Sequence, residues 1–136
     1  MKKTTKSCRF ALIALGLFAL AFGLLTIGSG GKVLFGGEEA RRAAGNYVPF
    51  VLGFNFLAGF AYVVAGLAIL RGHRWATRLA LGIAVATALV FVSLGIHIAM
   101  GGSFEQRTVA AMAFRTLIWF AIFTVLARAR CRPLIP

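Results

Sequence analysis

The sequence predicts an all-α integral membrane protein, a four-helix antiparallel bundle. Three observations carry this reading. Four apolar runs are each long enough to cross a bilayer. Clusters of lysine and arginine fall at alternate ends of those runs. Small residues recur at helical spacing within them. The chain has 136 residues, of which 60% are hydrophobic, and its mean hydropathy is +0.90. A soluble domain of this length could not hide so much apolar surface.

The runs are Phe10–Ile27, Val48–Leu70, Leu79–Met100 and Val109–Ala127. Each has roughly 18–23 residues, which at about 1.5 Å per residue spans a hydrocarbon core of roughly 30 Å. In lipid the backbone must satisfy its own hydrogen bonds, and a helix does so within one segment. The expected domain is therefore a single transmembrane unit, residues 1–136. Its helices cover about 10–27, 48–70, 79–100 and 104–127, with a long loop over 28–47. The first run also resembles a leader, because "MKKTTKSCRF" looks like a basic n-region. Its length and the absence of a clean A-x-A site favour a retained helix.

The formal charge of +12 raises the question of nucleic acid, but its distribution answers otherwise. Lys2, Lys3, Lys6 and Arg9 precede the first run. Arg71, Arg74 and Arg78 separate the second from the third. Arg128, Arg130 and Arg132 follow the fourth. In a four-pass chain all three clusters lie on one side, which the positive-inside rule makes cytoplasmic. This predicts a plasma (inner) membrane protein with both termini in the cytoplasm. The three acids, Glu38, Glu39 and Glu105, then all lie outside. The expected partners of the basic flanks are anionic lipid headgroups rather than nucleic acid. Cys8 and Cys131 sit on the cytoplasmic edge, where a reducing compartment keeps thiols.

Between the first two runs, "EEARRAA" has good helix formers and Glu–Arg pairs at i,i+3 and i,i+4. It reads as a short interfacial helix or as a solvated charged patch. The inner loop "RGHRWATR" is a tight basic turn with Trp75 at headgroup level, and Tyr47 marks the opposite interface. In lipid, helices pack through small side chains that let backbones approach. Gly16, Ala19 and Gly23 form such a face on the first helix. Asn55, Ala58, Gly59, Tyr62, Ala65 and Gly66 form one on the second. Gly82, Ala86, Ser93 and His97 form one on the third. Phe50, Phe54 and Phe60 are expected to look toward lipid or a partner.

The stretch "GIHIAMGGSFEQRTVAAMAFRTLIWF" places Arg115 inside an apolar run. "SFEQ" has the form of a capping box, with Ser103 as cap and Glu105 in the first helical turn. Glu105, Thr108, Met112, Arg115 and Trp119 then share one stripe. Arg115 is expected to snorkel toward Thr108 and the outer interface. Arg115, Asn55 and Ser93 each lie about eight residues from the outer end of their runs, roughly 12 Å deep, and His97 lies one turn shallower. A charge at such depth costs on the order of 2.5–3.5 kcal/mol. The economical arrangement points Asn55, Ser93, His97 and Arg115 into the bundle, roofed by Glu105 and by Glu38 or Glu39. Arg115 would be a fixed cation there. His97 is the residue type that exchanges protons near neutrality.

Two functional readings follow. The cluster is interhelical glue, in a non-enzymatic accessory subunit, or it is a ligand site for an anionic or quinone-like headgroup. A membrane enzyme or transporter acting on a quinone, lipid or small anion is the alternative. The sequence assigns no catalytic residue and no cofactor. It has no metal-binding motif, and its two histidines, on opposite sides, cannot share one haem.

"LGLFALAFGLLTIGSGGKVLFGG" resembles the first helix and following Gly-Lys-hydrophobic turn of DoxX-like four-helix bacterial membrane proteins. "AGFAYVVAGLAILRGHRWATRLALGIA" is similar to their second helix, basic turn and third helix. The resemblance covers the first two-thirds of the chain, and "GGSFEQRTVAAMAFR" has no counterpart in it. It implies the four-helix fold and an accessory role in a membrane-protein complex or homo-oligomer linked to redox or quinone chemistry. It carries over no catalytic residues.

Overall fold

The computed structural model describes residues 2–128, with side chains from Cys8 onward. Five helices follow one another: α1 (Lys2–Phe35), α2 (Glu38–Ala44), α3 (Pro49–Arg71), α4 (Trp75–Ala99) and α5 (Gln106–Arg128). Among the described residues there is no strand. Four segments are long and apolar enough to cross a membrane: Cys8–Phe35, Pro49–Arg71, Trp75–Ala99 and Gln106–Arg128. The all-α four-helix membrane bundle is therefore the observed fold. Its antiparallel order gathers Arg9, Arg71, Arg74, Arg78 and Arg128 at one end, here called the basic end.

Local chemistry sets the helix limits. Pro49 opens α3, where its missing N–H costs nothing. Gly72 closes α3 in the left-handed conformation at φ 71°, and its N–H reaches the carbonyls of Ala68 and Ile69. The three-residue turn that follows leads directly into α4. α1 runs well past residue 27, where the apolar run ends. Thr26 and Ser29 hydroxyls donate to the carbonyls of Phe22 and Leu25 at 2.7 and 2.9 Å. Gly30 lies under Phe56, where a Cβ would stand 3.2 Å from the ring's own Cβ. At about 1.5 Å per residue, α1 is about 50 Å long, more than the hydrocarbon core requires. The loop expected over 28–47 is accordingly short, and α2 occupies part of it. Its Glu38 and Arg42 pair at 3.7 Å, both exposed.

The tightest packing joins α1 to α3 through glycine. A Cβ on Gly66 would lie 2.7 Å from the Leu20 backbone nitrogen and 2.9 Å from the Gly16 carbonyl oxygen. A Cβ on Gly23 would lie 2.8 Å from the Gly59 carbonyl oxygen. Gly16 thus faces Gly66 and Gly23 faces Gly59 in one antiparallel register. The small faces expected on the first two helices meet each other here. α4 pairs with α5, and α3 joins the two pairs. The buried core runs along this junction, from Ala58, Tyr62 and Ala65 to Ala80, Ala84, Trp119 and Ile122.

Several expectations need correction. α4 does not pack through Gly82, Ala86, Ser93 and His97. Gly82 and Ser93 are exposed, and a Cβ on Gly82 would meet nothing within 4 Å. The buried face of α4 is instead Ala76, Ala80, Ile83, Ala84, Thr87 and Leu94. This longer alanine stripe, rotated from the expected one, fits more backbone against α3 and α5. Phe50 and Phe60 are exposed as expected, but Phe54 packs against the core. α5 starts at Gln106, not 104. Glu105 holds the capping position, its carbonyl accepting from the Thr108 N–H at 3.0 Å. Cys8 is disulfide-bonded rather than a free thiol. The other half of that bond, like Arg130, Cys131 and Arg132, lies outside the described residues.

Candidate functional site

Arg115 stands nine residues into α5, and Thr26 nine residues from the end of α1. In an antiparallel arrangement these positions share a depth. Arg115 Nη1 donates to Thr26 Oγ1 at 3.0 Å, and Thr26 passes its own proton to the Phe22 carbonyl. The guanidinium carbon lies 5.1 Å from the centre of the Phe22 ring, within cation–π range. Phe22 also meets Phe114 edge-on at 6.2 Å and stacks on Tyr62 at 5.3 Å. Tyr62 in turn contacts Trp119 at 4.8 Å. Arg115 therefore turns across to α1 and does not snorkel toward Thr108.

Its electrostatic position is unusual. Among the described residues the one ion pair is Glu38–Arg42, so no carboxylate comes within 4 Å of Arg115. Among the described residues Thr26 is its one hydrogen-bond partner, and the buried Arg115 Nε has none there. Asn55 Oδ1, on α3, is likewise buried without a donor. Both residues line one cavity of about 240 Å³. Ser29, Gly30 and Val33 of α1 form one wall, and Thr108 and Ala111 of α5 the opposite one. Ala44, Tyr47, Glu105 and Arg107 stand at the mouth. Both orphan atoms are shut off from the cavity by their neighbours, so it is the remaining atoms of Arg115 and Asn55 that line it. Deeper in the bundle, Tyr62 Oη and Trp119 Nε1 also lack partners, but neither residue lines this cavity.

The mouth is held by two contacts. Glu105 Oε1 accepts from the Asn46 N–H at 2.8 Å. Arg107 Nη2 reaches the Ala43 carbonyl at 3.5 Å. Gly45 permits the first, because its φ of 72° suits glycine and any Cβ there would collide with the Glu105 carboxylate. These contacts tie the end of α2 to the start of α5. Glu105→Ala is expected to free the 36–47 segment. Losing a hydrogen bond to a charged group, worth about 1.5 kcal/mol, should raise its amide exchange about tenfold. Hydrogen exchange by mass spectrometry reads this, and unchanged protection would remove Glu105 as the latch.

The structure thus gathers four of the six expected site residues: Asn55, Glu105, Thr108 and Arg115. Ser93 and His97 are not among them. The Ser93 hydroxyl donates to its own helix at Leu89, on an exposed face. The His97 ring packs on Phe50 at 5.9 Å, and its Nε2 stands 3.1 Å from the Ser103 carbonyl, where it closes the α4–α5 loop. Glu38 and Glu39 are exposed and do not roof the cavity. Thr26, Ser29, Tyr47 and Arg107 were not anticipated. Among the described residues no three His, Cys, Asp or Glu side chains gather as a metal site would require. No family model, no curated protein and no solved structure matches this chain.

Proposed function

We propose that this multi-pass membrane protein binds a small anion-bearing ligand in the cavity between α1, α3 and α5, and does not transform it. One observation carries the reading. Arg115 is a cation at membrane depth that lines an open cavity, with a neutral hydrogen-bond partner and no carboxylate among the described residues within 4 Å. A charge so placed costs about 2.5–3.5 kcal/mol on insertion scales, and a bound anion offsets that cost. A proton-coupled role has little to draw on, because His97 lies outside the cavity and Glu105 is engaged with Asn46. The accessory role implied by the DoxX-like layout fits a protein that holds a ligand and leaves chemistry to a partner.

The test is identification of what travels with the protein. Chain purified from membranes should carry an anion-bearing molecule in near-stoichiometric amount by mass spectrometry. Arg115→Gln, with an unchanged melting temperature, should lack it. The same molecule retained equally by both proteins would overturn the reading.

The basic flanks support an orientation with the cavity facing outward and both termini in the cytoplasm of the plasma membrane. The disulfide at Cys8 runs against this orientation, because the cytoplasm keeps thiols reduced. In a Cys8→Ser, Cys131→Ser background, Ala40→Cys should react with an impermeant maleimide on intact cells. Trp75→Cys should react only after lysis. Reaction of both from one side would reject this topology.

A further inference from the structure

Resting on the reading of the cavity as an anion site, we propose that residues 36–47 form a hinged lid over it. The ligand is a small water-borne anion, which this lid admits.

Four observations lead there. The first is how little holds the segment down. α2 has no buried residue, and its main helical neighbour is α1, which precedes it in the chain. Firm attachment resumes at Val48, which is buried beside Val51, Leu94 and Met112. A segment with so few buried apolar contacts opens at far lower cost than the bundle unfolds.

The second is where the segment can bend. Gly37 precedes α2 at φ 86° and Gly45 follows it at φ 72°. A Cβ on Gly37 would meet nothing within 4 Å. Glycines at both ends of a short helix absorb the backbone change that a hinged motion requires.

The third is where the fastenings lie. Among the described residues the segment is hydrogen-bonded to the start of α5 by Asn46 to Glu105 and by Arg107 to Ala43. Glu105 and Arg107 also line the cavity, together with Ala44 and Tyr47 of the segment itself. The groups that fasten the lid are therefore the groups at the mouth, and releasing them widens the way to Arg115.

The fourth is what the lid faces. Glu38, Glu39, Arg41 and Arg42 are all exposed. Four charged side chains cannot lie among acyl chains, so the passage beneath them opens to the aqueous phase. An anion arriving there meets Arg107 first. Arg115 stands eight residues further along α5, about 12 Å deeper. The cavity of about 240 Å³ lies below the roughly 300–1,000 Å³ of pockets that enclose a drug-sized ligand, which suits a small anion.

The experiment measures access directly, without knowledge of the ligand. The full chain, with Cys8→Ser and Cys131→Ser, carries Ala111→Cys on the cavity wall and is placed in nanodiscs. Two reagents of similar size are used, the anionic sulfonatoethyl methanethiosulfonate and the cationic trimethylammonioethyl methanethiosulfonate. Mass spectrometry follows the rate of thiol modification. Adding Glu105→Ala should speed both reagents about tenfold, the factor expected for one hydrogen bond to a charged group. Gly45→Ala, whose methyl group would collide with the Glu105 carboxylate, should speed both while the charge stays in place. Unchanged rates in either variant overturn the lid. So does a Glu105→Ala variant that reacts faster with the anion and slower with the cation, because Glu105 then acts through its charge alone. The anion site is read separately. With the lid intact the anionic reagent should react faster than the cationic one, and Arg115→Gln should remove that bias. Absence of the bias, or its survival in Arg115→Gln, overturns the anion site whether or not the lid moves.

Discussion

Gly66→Ala is expected to destabilise the bundle by about 2–3 kcal/mol, the cost of overpacking a tightly closed contact. The new methyl group would meet the Leu20 nitrogen at 2.7 Å and the Gly16 carbonyl oxygen at 2.9 Å. Both are backbone atoms of a helix and cannot swing aside as a side-chain tip can. α1 and α3 must therefore part along their length, which loosens the Phe22–Tyr62 stack one turn away. In lipid no hydrophobic effect draws the helices back together, so close contact is the main source of their affinity. Gly82→Ala and Gly95→Ala are the controls. Both positions are helical with open space around them, and alanine there should be neutral or mildly stabilising. Thermal unfolding in detergent, followed by far-UV circular dichroism, separates the cases. Equal melting temperatures for all three variants would mean that the glycine contact does not hold the pair.

Arg115→Leu is expected to have opposite effects on stability and on binding. Removing the guanidinium removes a desolvation cost of about 2.5–3.5 kcal/mol and gives up one hydrogen bond, worth about 1–2 kcal/mol, to Thr26. Thr26 keeps its bond to Phe22, so no new buried orphan appears. The variant should therefore melt at or above the temperature of wild type stripped of its ligand, while its own bound anion is lost. Were Arg115 a structural strut, the same substitution would lower the melting temperature. Measuring both quantities on one preparation decides between these roles. A variant that melts lower and keeps its ligand would contradict the site as described.

The contrast between Arg115 and His97 shows what the sequence could reveal. Depth in the bilayer follows from counting residues along a helix, and counting brought Asn55 and Arg115 to one level. The direction a side chain faces depends on how its helix is rotated against its neighbours. Small residues set that rotation, and on α1 and α3 the glycines at sevenfold spacing made the packing face legible. On α4 two stripes of small residues compete, and the alanine stripe ending at Leu94 wins. Ser93, one residue away, is thereby turned outward by about 100°. Thr26 was missed for a different reason. The apolar run stops at Ile27, so counting along it leaves Thr26 at its end. Because α1 continues to Phe35, it sits as deep as Arg115. The glycines at 28, 30 and 31 suggested a loop, and the hydroxyl bonds of Thr26 and Ser29 to their own helix had no sequence signature strong enough to oppose them.

The glycine contact between α1 and α3 also makes the bundle mechanically lopsided. Interlocked backbones resist shear, whereas one edge-on aromatic contact and a single arginine tether yield easily. Bilayer thinning or stretching would therefore be absorbed by the soft side, spreading the walls that hold the guanidinium. Membrane tension would then be expected to widen or narrow the cavity between α1 and α5 before it disturbs the α1–α3 contact.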